Sequence, residues 1–174
     1  MGIDVIVKFI SKSTVLIRAY VYNLAGDLTD PTGSIKTIIA DPDGVQKAGY
    51  ISVADSSGFT AGDIVTGGTS EATGVIISIP AGGTTLELQR VTGVWQSGEA
   101  LTAADAETTN TTSALLGATM TKNGDEDGEF DYYYHTDADS PEGSWPGEVW
   151  TVDGTGATAK SSVATFNFEV KAGL

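Results

Sequence analysis

A phrase of eight residues occurs twice in this chain, 36 residues apart. Phe59-x-x-Gly62-Asp63-x-Val65-Thr66 returns as Trp95-x-x-Gly98-Glu99-x-Leu101-Thr102, so an aromatic, a glycine, an acid, an aliphatic and a threonine recur in type. The interval is too long for a hairpin and fits a small duplicated β unit. Phe59 and Trp95 precede the Gly-acid turns and are expected to fill a small core from symmetric places. The stretch that holds both copies, 51–113, is rich in Gly, Thr, Ala and Ser and poor in large apolar side chains. Short strands are expected at 51–54, 63–66, 74–79, 84–91, 100–103 and 110–115, with a hairpin turn at Pro80-Ala81-Gly82-Gly83.

The flanks read differently. Residues 14–22 alternate strictly, with Val15, Ile17, Ala19 and Val21 on one face and Leu16, Arg18, Tyr20 and Tyr22 on the other. Residues 34–40 form a second strand. Asp41-Pro42-Asp43-Gly44 is a turn, because proline presets φ and glycine frees the last position. Residues 45–50 are expected to pair back as its hairpin arm. After the insert, the outer pattern resumes at 116–121. A turn follows over 122–128, then a strand with Phe130, Tyr132 and Tyr134 on one face and Asp131, Tyr133 and His135 on the other. Residues 143–152 and 157–170 form the last strands, joined by a turn at Asp153-Gly154-Thr155-Gly156. The segment 2–13 is expected either as an edge strand or as an arm docking on a neighbouring subunit.

About three strands before the insert and four after it amount to a sandwich that neither flank closes alone. The expected fold is all-β: an immunoglobulin-like β-sandwich built from 1–50 and 114–174, split by a small β-barrel-like or β-sheet module over 51–113. The 22 glycines and the 40% apolar content agree with many short strands around a true core.

Charge and composition narrow the function. A net charge of −14, from 23 acids and 9 bases, repels phosphate backbones and disfavours nucleic-acid binding. The absence of cysteine removes disulfides, thiolate metal sites and cysteine nucleophiles. No run approaches the length of an apolar membrane span, and the N-terminus carries no leader pattern. The expectation is a product made in the cytoplasm and used or assembled there.

The order of phrases outside the insert resembles the immunoglobulin-like (fibronectin type III-like) domains of tailed-bacteriophage virion proteins. The residues that carry this are Asp30-Pro31, Asp41-Pro42-Asp43-Gly44, the run from Gly128 to Tyr134, Pro141 to Trp145, Asp153-Gly154 and Phe168-Glu169-Val170. The insert is similar to Gly/Thr-rich segments of phage head and tail proteins, here Gly62 to Gly67 and Ser70 to Gly74. The second copy departs from that pattern after Thr102. The resemblance implies a structural role in a virion and carries over no catalytic residue.

Catalysis finds little support in the residues. His135 is the only histidine and sits in a strand, no Gly-x-Ser-x-Gly elbow occurs, and the Gly-rich stretches precede strands rather than helices. The sharpest chemical candidate is calcium. Asn123, Asp125, Asp127, Gly128 and Asp131 follow the first half of an EF-hand loop, but Tyr134 stands where the bidentate glutamate belongs. The expected ligands are Asp125, Asp127 and Asp131, with Asp137 or Asp139 as further candidates, against the reading of an exposed acidic hairpin. Trp145, Trp150 and Tyr132 to Tyr134 are a candidate sugar platform, against the reading that they form core; Tyr133 is the one expected outside.

The expected function is therefore a non-enzymatic structural component of a tailed-phage virion, a capsid decoration or head–tail neck or tail accessory protein with no cofactor. Its partners would be major capsid or neck and tail proteins, in a homo-oligomer or symmetric array, with neither nucleic acid nor membrane. The alternative is a cell-surface adhesion or carbohydrate-binding immunoglobulin-like module; an enzyme is the remainder.

Overall fold

The computed structural model describes residues 1–11, 13–103, 108–137, 139–152 and 160–171. It is all-β, with no helix among the described residues. The chain forms two compact units: Met1–Pro42 with Thr119–Leu174, and Asp43–Ala118. The boundaries thus fall at 42/43 and 118/119, wider than the 51–113 read from texture. The physical reason is strand pairing: Tyr50 and Leu116 exchange two backbone hydrogen bonds (3.0 and 2.8 Å), so both ends belong to the second unit.

In the first unit, β1 (Gly2–Ser11), β2 (Thr14–Tyr22) and β3 (Ile35–Ile39) precede the second unit in the chain. The strand β10 (Ala118–Thr119) straddles the second boundary, and β11 (Thr121–Lys122), β12 (Glu129–His135), β13 (Gly143–Val152) and β14 (Lys160–Val170) follow it. One sheet has the order β1-β2-β12-β11 and the other β10-β3-β13-β14. Lettered along the chain, this is ABED against CFG with one added edge strand, the strand order of an immunoglobulin sandwich. The short β10 and β11 lie in different sheets, and the chain crosses between them at Met120, whose N–H bonds to Ile35 O. The turn expected at 153–156 lies outside the described residues.

Alternation makes the two inner faces. Val15, Ile17, Ala19 and Val21 of β2 are fully buried, and Tyr132 and Tyr134 of β12 join them from the same sheet. Trp145 and Val149 of β13 and Phe168 and Val170 of β14 face them from the other. Tyr134 meets Trp145 with ring centroids 5.6 Å apart, and Trp145 meets Phe168 at 5.8 Å. The indole N–H of Trp145 donates to Pro141 O at 2.9 Å, so its burial leaves no orphan donor. β1 is an ordinary strand paired along its length with β2, and Phe9 closes that end of the core against Phe168.

The second unit contains β4 (Ala48–Ser52), β5 (Ile64–Gly67), β6 (Thr73–Ser78), β7 (Thr85–Thr92), β8 (Ala100–Ala103) and β9 (Thr108–Asn110), in the order β4-β7-β6-β5-β8-β9. The expected hairpin between 34–40 and 45–50 does not form; β4 pairs with β7 instead, Tyr50 opposite Glu87. The sheet then closes on itself. Val53 bridges Thr111, Ala54 N–H donates to Asn110 O at 2.9 Å and Thr112 N–H donates to Ser52 O at 2.7 Å. Closure satisfies both edges and makes a barrel around Ile51, Val65, Leu86, Leu88 and Leu101, with Phe59 and Trp95 in the same core.

The repeated phrase is a structural repeat. β5 and β8 pair antiparallel with Thr66 opposite Thr102, the same position of the two copies. The contacts recur with it. The carboxylate of Asp63 accepts Thr60 N–H at 2.8 Å, and that of Glu99 accepts Gln96 N–H at 2.8 Å. Gly62 N–H donates to Ile76 O (2.7 Å) as Gly98 N–H donates to Thr111 O (2.9 Å). Gly62 and Gly98 both have positive φ, 103° and 85°, which explains the invariant glycine of the phrase. An approximate two-fold axis passes between Thr66 and Thr102 and relates β4-β5-β6 to β7-β8-β9.

Candidate functional site

The outer face of the β1-β2-β12-β11 sheet is the richest surface of the first unit. Cross-strand pairing sets it: Ile6 lies opposite Arg18, Lys8 opposite Leu16, Asp4 opposite Tyr20, Arg18 opposite Asp131 and Leu16 opposite Tyr133. Ile6 and Tyr133 are exposed, while Leu16, Tyr20 and Tyr22 are half-buried. At its centre, Arg18 grips Asp131 through two hydrogen bonds, Nε to Oδ1 at 2.7 Å and Nη2 to Oδ2 at 2.8 Å, and reaches Glu129 at 3.4 Å. Hydrogen bonding to Asp131, then to Tyr20, holds the guanidinium above its usual pKa. Arg18 is neutralised by Asp131, and the face around this pair combines tyrosine and aliphatic side chains with Glu129 and the exposed Asp4 and Lys8 of β1.

The structure does not assemble the calcium site. Asp131 is buried on β12 and spends both carboxylate oxygens on Arg18. Asp127 is exposed and contacts Lys122 Nζ at 3.3 Å; Asp125 is exposed in the turn. Asp137 instead accepts the Ser140 hydroxyl at 3.0 Å and the Asp139 N–H at 3.2 Å. Among the described residues no group of three His, Cys, Asp or Glu side chains is placed to hold a metal ion. The EF-hand pattern failed because β12 begins at Glu129, and a strand turns Asp131 onto the sheet rather than back toward the loop.

The sugar platform is dismantled in the same way. Trp145, Tyr132 and Tyr134 are interior, and Trp150 is buried on the outer side of β13 with Lys160 Nζ 4.4 Å above its ring. Tyr133 alone of that set is exposed. His135 lies exposed at the end of β12, its Nδ1 3.1 Å from the Thr14 hydroxyl.

Two polar features escaped the sequence reading. Asp30, of the Asp30-Pro31 phrase, accepts Gly128 N–H at 2.9 Å and pairs with Lys122. Lys122, then Gly128, holds its carboxyl below the usual range. In the barrel, Glu99 is buried with no cation beside it among the described residues, yet takes four donors: Gln96 N–H, Ser70 N–H, Ser70 Oγ–H and, longer, Thr69 N–H. Burial alone pushes its pKa up; the bonds from Gln96, Ser70 and Thr69 outweigh burial and bring it below the ordinary value. Gly67 lacks the Cβ that would strike this carboxylate, with 2.5 Å to Oε2. So Gly67, Ser70 and Glu99 form one lock between the two half-barrels. The signal for it was already in the repeated acid, one methylene longer in the second copy.

The barrel also carries a shallow cleft of about 380 Å³ edged by Val45, Gln46, Val94, Trp95 and Leu115. The indole Nε1 of Trp95 is buried without a hydrogen-bond partner. Comparison of the chain with protein-family models, with curated proteins and with solved structures finds no match.

Proposed function

We propose that this chain is a non-enzymatic structural component of a tailed-phage virion, a capsid decoration protein or a head–tail neck or tail accessory protein. It would act by protein–protein contact within a symmetric assembly. The observation that carries the reading is the outer face of β1, β2 and β12. Tyrosines, Ile6 and Leu16 surround an arginine already neutralised by Asp131, a centre with the residue types enriched in protein interfaces, while Asp4, Lys8 and Glu129 beside it supply charge of the kind found in an interface rim. Repetition by symmetry would add such contacts as avidity. The adhesion or glycan-binding alternative is weakened because its tryptophans and two of its three tyrosines are buried.

The test is assembly in cells that co-express this chain with candidate capsid, neck and tail proteins, followed by negative-stain imaging and mass spectrometry of purified particles. Association is expected, and it should be lost with Tyr133→Lys. A strong glycan-array signal from a chain that never joins a particle would overturn the proposal in favour of the adhesion module.

A further inference from the structure

β1 is an edge strand: it pairs with β2 on one side and no described strand forms a ladder with the other, although β14 packs close to it, Ser162 Oγ–H donating to Met1 O at 3.1 Å and Phe168 meeting Phe9. Natural edges are usually blunted by shortness, charged side chains, proline, bulges or inward charges. Of these β1 carries outward charges at Asp4 and Lys8, opposite in sign, and a register slip at its end. β1 has ten residues, no proline and no inward charge, and its register slips only between Phe9 and Ser11. Its outward side chains are Asp4, Ile6, Lys8 and Ile10, all exposed; Ile3, Val5 and Val7 point inward and are half-buried. No hydrogen bond or ion pair engages the side chain of Asp4 or Lys8 within the described structure.

The order of these residues is self-complementary. If two copies of β1 run antiparallel about a two-fold axis through Ile6, Asp4 of each lies opposite Lys8 of the other. Ile6 then meets Ile6, Val5 meets Val7 and Ile3 meets Phe9. Opposite charges directly across an antiparallel ladder attract and like charges repel. The other long edge, β14, has no such symmetry. Its outward residues Val163, Thr165, Asn167 and Glu169 place each glutamate opposite Ser161 under the corresponding two-fold.

We infer that the outer edge of β1 is a homodimer contact, in which two copies of this chain pair β1 to β1 with Asp4 facing Lys8 and form one continuous eight-stranded sheet. Such an interface is isologous, the commonest kind among symmetric oligomers. It adds main-chain hydrogen bonds to the charge pairs, as in strand-addition complexes. The inference shares Ile6 and the outer face of this sheet with the virion reading, but it concerns a second copy of this chain, so sedimentation of the isolated protein tests it apart from particle assembly.

The test is sedimentation of the full chain across the micromolar to millimolar range, with a charge swap. The wild type should associate to dimers. Asp4→Lys alone and Lys8→Asp alone each turn two attractive pairs into two repulsive ones and should weaken association about tenfold or more. The double swap Asp4→Lys with Lys8→Asp should restore it. Melting curves of all four proteins separate lost association from lost folding. A second arm uses the absence of cysteine. Residues opposite each other in an antiparallel pair have Cα atoms about 4.5–5.5 Å apart, within disulfide range. Ile6→Cys should therefore oxidise to a covalent dimer at low protein concentration, and Val163→Cys on β14 should not. A chain that stays monomeric, a swap without rescue, or crosslinking at Val163 in place of Ile6 would each overturn the inference.

Discussion

Thr66 and Thr102 close the same phrase in its two copies and stand opposite each other in adjacent antiparallel strands. Residues that are equivalent by sequence can face each other in this way only across a two-fold axis. The repeat therefore marks two halves of one closed barrel rather than two domains in a row. The same relation explains why the acids differ: each caps its own turn, and only Glu99 also reaches Ser70 in the other half.

Glu99→Ala should cost the barrel about 3 kcal/mol, since it leaves buried N–H groups without their charged acceptor. Glu99→Gln keeps one acceptor oxygen and should cost about half as much. Gly67→Ala should be damaging beside Glu99 and only partly relieved beside Ala at 99, because an added Cβ would strike both that carboxylate and the Ser70 hydroxyl, each at 2.5 Å. Urea denaturation read by amide exchange of peptides from 43–118 gives all four values.

The same carboxylate sets an acid limit. Its folded pKa lies below the ordinary glutamate value, so its contribution is complete above that value, about 4.3, and fades as pH falls through the lower folded pKa. Barrel protection should drop between pH 5 and pH 3 in the wild type by more than in Glu99→Gln. An equal drop in both would remove Glu99 from the explanation.

Arg18 and Asp131 should behave as a unit. Arg18→Met strands a buried carboxylate and should destabilise the sandwich by about 2–3 kcal/mol, at the lower end for a broken pair because the arginine is partly exposed. Adding Asp131→Leu should return most of that loss, as a double-mutant cycle measures. With Asp131 engaged in this way, millimolar calcium should leave the wild-type melting temperature unchanged.

Trp95 and Phe59 occupy equivalent places, yet only the indole brings a donor, and it is unpartnered. Trp95→Phe removes that donor and some ring volume, so the net change should stay within about 1.5 kcal/mol. Trp95→Ala opens a cavity and should cost about 3–5 kcal/mol. Thermal melts of both variants distinguish the two effects.

Much of the strand content was legible because alternation is local. Val15 to Val21 declare their inward face by period two, and so do Tyr132 and Tyr134. The glycines at 62 and 98 likewise announce turns that only positive φ allows. What a strand pairs with is not local. The arm after Asp41-Pro42-Asp43-Gly44 looked like half of a hairpin, and the barrel captured it because β7 offered an open edge to β4. The three aspartates looked like a loop that binds calcium, and the start of β12 turned Asp131 onto a sheet where Arg18 was waiting.

The amino-acid sequence by itself determined that this protein is all-β, that its middle is a duplicated β unit, and which face the strands at 14–22 and 130–135 turn inward. These follow from backbone sterics and apolar spacing within a few residues. Only the tertiary structure decided that the duplicated unit closes into a barrel, that it begins at Asp43 and ends at Ala118, and that Glu99 locks its halves. Those outcomes depend on which edges and donors meet across tens of residues, and there the free energy of pairing and burial, not local preference, selects the partner.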